Sequence, residues 1–197
     1  RVLDLSAYIA GPYGCSLLAD QGAEVIKIEP PAGDNLRKYP STLQAESRAF
    51  LGVNRSKRGV VLDLKKPEGV AVFLRLAATA DVVVESFRPG VVDKLGIGYQ
   101  TVRALNPKIT YCSISGYGQD GPYKDLAGHD INYLGYAGVL EQIGLEGSQP
   151  AIPNFQIADL LGGALTGVMG ILAAVVEAQR TGQGRYVDVA MTDSVLA

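Results

Sequence analysis

Few residues in this chain have types that could carry chemistry, and two of them stand in distinctive surroundings. His129, the only histidine in 197 residues, sits in Gly128-His129-Asp130-Ile131-Asn132-Tyr133. Asp159 lies near the head of the run Ile157-Ala158-Asp159-Leu160-Leu161-Gly162-Gly163. Histidine is the side chain whose ordinary pKa lies nearest neutrality. A carboxylate entering an apolar helix is a second group whose proton affinity a fold can shift. Brought to one site, the two would form an acid/base pair. The structural alternatives are a hydrogen-bonded histidine and a helix N-terminal charge.

Other chemistries have little to stand on. The chain is 47% hydrophobic and 19% charged, with a formal net charge of −2. It carries no basic stripe with interleaved aromatics, so nucleic acid is not an expected partner. Cys15 and Cys112 lie far apart, outside any CxxC pattern, and read as free thiols of a reducing compartment. With one histidine and two scattered cysteines, no metal site is expected. Gly116-Tyr117-Gly118-Gln119-Asp120-Gly121 fits G-x-G-x-x-G after a strand, but Pro122-Tyr123-Lys124-Asp125 follows where a dinucleotide site needs a helix. G-x-S-x-G and the P-loop pattern are both absent.

The elements that must position the pair alternate between strand and helix. Strands are expected at 1–5, 23–29, 59–64, 81–87, 109–115 and 186–189, with helices at 11–21, 68–80, 99–105 and 131–140. This order predicts an α/β fold, a doubly wound and mostly parallel sheet flanked by helices on both faces. The stretch 30–56 reads as a long irregular loop, whose Arg37, Lys38, Arg48 and Arg55, with Lys57 and Arg58 just after it, could meet an anion. A long apolar helix is expected at 157–180. Its uncharged stretch, Leu160 to Val176, is at the short end for a membrane span and is bracketed by Asp159 and Glu177, so a core helix is the reading. The chain opens on a strand without a leader pattern and closes inside a helix. It is read as one large domain over 1–197, an N-terminal piece of a longer protein, cytoplasmic, or mitochondrial or peroxisomal in a eukaryote.

Motifs spread in order over the whole chain carry a resemblance. They are RVLDLS…GPY…LADQGAEVIKIE, NRSKRGVVLDLK, VVESFRPGVVDKLGIGY, SGYGQDGPY, GHDINY, IADLLGGALTGVMGILAA and TGQGRYVDVAM. Together they resemble the family III coenzyme A transferases (the CaiB/BaiF type), and GHDINY resembles the α-methylacyl-CoA racemase branch most. That branch carries a catalytic aspartate thirty residues beyond the histidine, and here 159 − 129 = 30.

The resemblance implies an enzyme of acyl-CoA thioesters in which His129 and Asp159 invert the α-carbon by proton transfer through an enolate. Backbone N–H groups near the start of the Asp159 helix are the expected enolate stabilisers. In the alternative, a CoA-transferase, Asp159 attacks the thioester carbonyl to give a mixed anhydride and His129 is incidental. A third reading is an inactive CoA-binding fragment. No cofactor beyond the CoA of the substrate is implied, and no membrane partner. Nucleotide contacts are implied at Val61, Leu62, Asp63, Leu64 and Lys65, with Arg88 as a further cation. Gly128, Asp130, Ile131, Asn132 and Tyr133 would line the acyl thioester. Where members of the family place a phosphate-binding arginine after the second strand, this chain has Pro30, and Arg37 is the expected substitute. The family also implies an interlocked homodimer, and an acidic partner for His129 from chain beyond these residues.

Overall fold

The computed structural model describes residues 1–44 and 46–197. Its scaffold is a six-stranded sheet built from β1 (Val2–Asp4), β2 (Val25–Glu29), β3 (Arg58–Val61), β4 (Val82–Glu85), β5 (Thr110–Ser115) and β6 (Tyr186–Ala190). The spatial order is β3-β2-β1-β4-β5-β6 and every pairing is parallel. Parallel neighbours need crossovers, supplied by α1 (Ala10–Asp20), α2 (Arg48–Asn54), α3 (Pro67–Ala77), α4 (Val91–Lys94), α5 (Tyr99–Leu105) and, before β6, α6 (Asp130–Tyr136) and α7 (Thr166–Thr181). A last helix, α8 (Met191–Leu196), follows β6.

Alternation along the strands explains the two layers. Val2, Val82, Val84, Cys112 and Ile114 face one core, shared with Cys15 and Leu18 of α1, Leu134 of α6 and Ile171 of α7. Leu3, Val83 and Tyr111 face the other, shared with Phe73 and Ala77 of α3 and Val102 of α5. Side chains one residue apart point to opposite faces, so apolar strand runs demand helices on both sides. The doubly wound reading therefore holds. Both cysteines are buried and unbridged.

The sheet has one switch point. From β1 the order runs outward to β2 and β3 on one side and to β4, β5 and β6 on the other, so the loops after β1 and β4 diverge and leave a crevice at their carboxyl ends. Buried charge collects at the same edge. Asp4 ends β1 and accepts from Lys57 Nζ at 2.8 Å, while Lys27 reaches Asp34 at 3.0 Å. Burial by itself would push Asp4 upward, but Lys27 and Lys57 outweigh it and hold the carboxyl below its usual range.

Three expectations need correction. The stretch 30–56 is not one irregular loop: a 3-10 turn (Asn35–Lys38) and α2 lie within it. Each is started by a side chain, Asp34 accepting from Leu36 N–H and Ser47 from Phe50 N–H, and anchored by buried Leu36 and Phe50. Helix α6 ends at Tyr136, short of 140, because the chain passes into the left-handed region at Gly138 (φ +75°). The long apolar helix opens with a π-helical segment, Ala158–Leu165, before α7. Gly162 and Gly163 permit this segment to press against α1 and α8. A Cβ on Gly162 would lie 2.8 Å from the Met191 carbonyl oxygen, and one on Gly163 would lie 2.7 Å from Ala10 Cβ.

Candidate functional site

A cleft of about 940 Å³ occupies the crevice at the switch point. Its floor comes from the carboxyl ends of the strands: Ala7–Ala10 after β1, Ser86–Pro89 after β4 and Ile114–Tyr117 at the end of β5. The remaining wall includes Tyr39, Lys124, 126–133, Gln156 and Asp159, and Met191 of α8. Ser86 ties the floor together, its Oγ accepting from the Ala7 N–H at 3.0 Å. Tyr8, in the same loop, adopts φ +65°, a conformation costly for a non-glycine residue and typical of functional crevices.

His129 and Asp159 both line this cleft. His129 is exposed and occupies the N-cap of α6, where its own N–H donates to Asn132 Oδ1 at 2.9 Å. Tyr133 fixes the approach to that turn: its hydroxyl donates to the Gly128 carbonyl at 2.6 Å, and its ring lies against two glycines. A Cβ on Gly116 or Gly128 would fall 2.3 Å or 2.5 Å from Tyr133 Cε1. Thus Gly116, the first glycine of a motif that imitates a dinucleotide fingerprint, serves packing instead.

Asp159 sits in the first turn of the π-helical segment, half-buried. Burial, and secondarily the neighbouring Asp130 carboxyl, push its pKa up to about 7. Asp130 Oδ1 accepts the Asp159 N–H at 2.9 Å. Burial also raises Asp130, an effect countered by the N–H groups of Asp159, Ala158 and Ile157 directed at it. These are the N–H groups expected to stabilise an enolate, and Asp130 occupies them. The N–H groups of Asp130 and Ile131, in the first turn of α6, have no acceptor within their own helix. Tyr133 is pushed up to about 12, by burial first and then by Asp159.

Not every expected residue reaches the cleft. Gly128, Asp130, Ile131, Asn132, Tyr133 and Arg88 line it. Val61, Leu62, Asp63, Leu64 and Lys65 do not; they lie at and beyond the end of β3, the edge strand, where Val61 is 63% exposed. Arg37 is also outside the lining. Its Nε and Nη2 form a two-point pair with Glu29 at 2.7 and 2.8 Å, and its guanidinium lies over the Phe50 ring. Lys57, another cation of that stretch, is buried on Asp4.

Sequence reasoning passed over Tyr8, Tyr39, Tyr117, Lys124 and Met191, all lining residues. Tyr8 could have been found from the rule that crevices form after strands flanking a switch point. Tyr39, Lys124 and Met191 offered no signal, since only the folded chain brings them in.

The family model of CoA-transferase family III matches residues 1–197. Among curated proteins, the chain is similar to succinate–glutarate CoA-transferase of Agrobacterium fabrum (42% identity, covering 98% of this chain and 50% of that protein). It is similar to human alpha-methylacyl-CoA racemase to nearly the same degree (40%, 98% and 47%). Among solved structures, a CAIB/BAIF family protein from Brucella suis superposes with a TM-score of 0.94 at 36% identity, over 99% of this chain and 53% of that one. The chain spans about half the length of the curated relatives it matches.

Proposed function

We infer the function from one premise: the chain belongs to CoA-transferase family III. On that premise the protein is an enzyme of acyl-CoA thioesters that racemises the carbon next to the thioester carbonyl, with His129 and Asp159 as its two proton-transferring groups. The observation that carries this reading is that these two residues, 30 positions apart, line one cleft at the carboxyl edge of the sheet.

A thioester acidifies its α-proton because the enolate spreads charge onto the carbonyl oxygen. Inversion needs a base on one face and an acid on the other. For one enantiomer neutral His129 takes the proton and protonated Asp159 delivers another to the opposite face; for the mirror substrate the roles exchange. A carboxyl pushed up to about 7 holds a proton about half the time near neutrality, which suits a group that must act in both senses. The enolate oxygen is assigned to the first-turn N–H groups of α6, beside His129, which lack an acceptor within the helix. The adenine nucleotide is assigned to the exposed segment Val61–Lys65, with Arg88 and Lys124 at the cleft as cations for the phosphates or the acyl end. A homodimer, with an acidic partner for His129 from the rest of the protein, completes the proposal.

The transferase reading is favoured by a specific observation as well, the 42% identity to succinate–glutarate CoA-transferase. There Asp159 would attack the thioester carbonyl and expel CoA as the thiolate, leaving an acyl–aspartyl anhydride for an incoming acid. One experiment separates the two. The intact protein is incubated with a chiral 2-methylacyl-CoA in D₂O, with and without free carboxylic acids. Racemisation with deuterium at the α-carbon is the expected result. Acid-dependent CoA transfer without exchange would replace racemase by transferase.

A further inference from the structure

The segment that carries Asp159 begins at Ile157 without a side-chain cap of its own. A helix end leaves backbone N–H groups that need acceptors. They are met from elsewhere in the chain: Asp130, twenty-nine residues earlier in sequence, places Oδ1 2.9 Å from the Asp159 N–H and also faces the N–H groups of Ala158 and Ile157. Asp130 is the immediate neighbour of His129 in the first turn of α6. One carboxylate therefore bridges the two chain segments that supply the two proton-transferring groups.

We propose that Asp130 is the positioning residue of the site, capping the π-helical segment that presents Asp159 to the cleft shared with His129 and keeping a carboxylate beside it. This rests on the acyl-CoA reading only for what Asp159 does, not for how it is held. A cap alone could be a neutral serine or asparagine, both strong N-caps. A half-buried carboxylate adds what those lack, a like charge next to Asp159 that favours the protonated form of that carboxyl. Other ionisable groups line the same cleft. Helix α6 brings His129 and Tyr133, the loop after β1 brings Tyr8, the loop after β4 brings Arg88, the stretch between β2 and α2 brings Tyr39, and that between β5 and α6 brings Tyr117 and Lys124. From α1 and α8 come Ala10 and Met191, which carry no charge.

The test uses the intact protein, its aspartates labelled with ¹³C at the carboxyl carbon, and the Asp159 resonance identified by its loss in Asp159→Asn. Asp130→Asn keeps an oxygen for the N–H groups but removes the charge, and the Asp159 midpoint should fall by about one pH unit. Asp130→Ser, a shorter neutral cap, should give a similar fall. The pH profile of α-proton exchange should move the same way. An Asp159 midpoint that stays in place in both variants overturns the proposal. Should both variants unfold, the wild type decides: Asp159 must show a second inflection where Asp130 ionises, as coupled sites do, and its absence counts against the proposal. If the Asp159 midpoint moves while neither exchange nor CoA transfer is found, the acyl-CoA reading fails and the role of Asp130 stands.

Discussion

His129 and Asp159 divide the labour of discrimination. Both proposed chemistries require Asp159, so Asp159→Asn should lower α-proton exchange and CoA transfer alike, by about 10³-fold or more, measured as kcat/KM. Only the proposed proton transfer requires His129. His129→Ala should cut exchange by about 10²- to 10⁴-fold and change any transfer activity by less than about tenfold. The pH dependence follows from the roles. Each substrate enantiomer needs the pair to hold one proton, on Asp159 for one hand and on His129 for the other. The two forms differ only in where that proton sits. Hence kcat/KM should trace the same bell in both directions, with one limb near pH 7, where Asp159 changes charge. A flat profile between pH 5 and 9 would remove these two groups from the reaction. Both residues were legible in the sequence, because a lone histidine and a carboxylate before an apolar run are visible without a fold. Asp130 was legible only as a lining residue, since its acceptor role depends on a contact across 29 positions.

At the scale of the element, the π-helical segment is what aims Asp159. It is packed so closely that two glycines are required, and Gly162 is the stricter case. A Cβ there meets the Met191 carbonyl at 2.8 Å and Val195 Cγ1 at 2.9 Å, and a backbone atom cannot swing away. Gly162→Ala should destabilise the protein by about 1–3 kcal/mol, read by chemical denaturation, and should lower turnover beyond the loss of folded protein. Gly135 in α6 supplies the opposite case. Nothing lies within 4 Å of a Cβ built on it, so Gly135→Ala should stabilise by about 0.5–1 kcal/mol. The sequence announced an apolar helix here, and a 3.6-residue pattern places helices as a period of two places strands. It carries no sign of a π-helical turn, which lies packed against α1 and α8, elements distant in the chain.

For the molecule as a whole, buried carboxyls of opposite tendency set the pH range of stability. Asp4, held low by Lys27 and Lys57 against its burial, contributes stability above the usual carboxylate range that is lost as pH falls. Glu85, at the end of β4, behaves in reverse. Burial raises it to about 7, only partly offset by hydrogen bonds from Ser113 and the Phe87 N–H, so its stabilising contribution is full at acidic pH and lost as pH rises through 7. Glu85→Gln should therefore flatten the decline in unfolding free energy between pH 5 and 8, with a gain of order 3 kcal/mol at the upper end. An unchanged slope would mean that Glu85 ionises freely in the native state. On the outside, Leu161, Leu165, Met169, Leu172 and Val176 form an exposed apolar stripe along Ala158–Thr181. That helix is long and apolar enough to cross a membrane by length and composition, and its opposite face packs Gly162, Gly163 and Gly167 into the core.

The sequence by itself determined the alternation of strand and helix, hence the doubly wound sheet, and offered His129 and Asp159, which line one cleft at its carboxyl edge, as candidates. Local periodicity is sufficient for the first, because it is a property of neighbours in the chain, whereas the choice of the pair came from the motifs that carry the family resemblance. What the tertiary structure decided was pairing. Arg37 and Lys57, free cations on paper, are taken by Glu29 and Asp4. The N–H groups at the head of the Asp159 segment, open donors on paper, are taken by Asp130. Tyr8, Lys124 and Met191 become walls of the cleft. A charge or a donor is available to a substrate only if no other part of the protein already holds it, and that is fixed by contacts between residues distant in sequence.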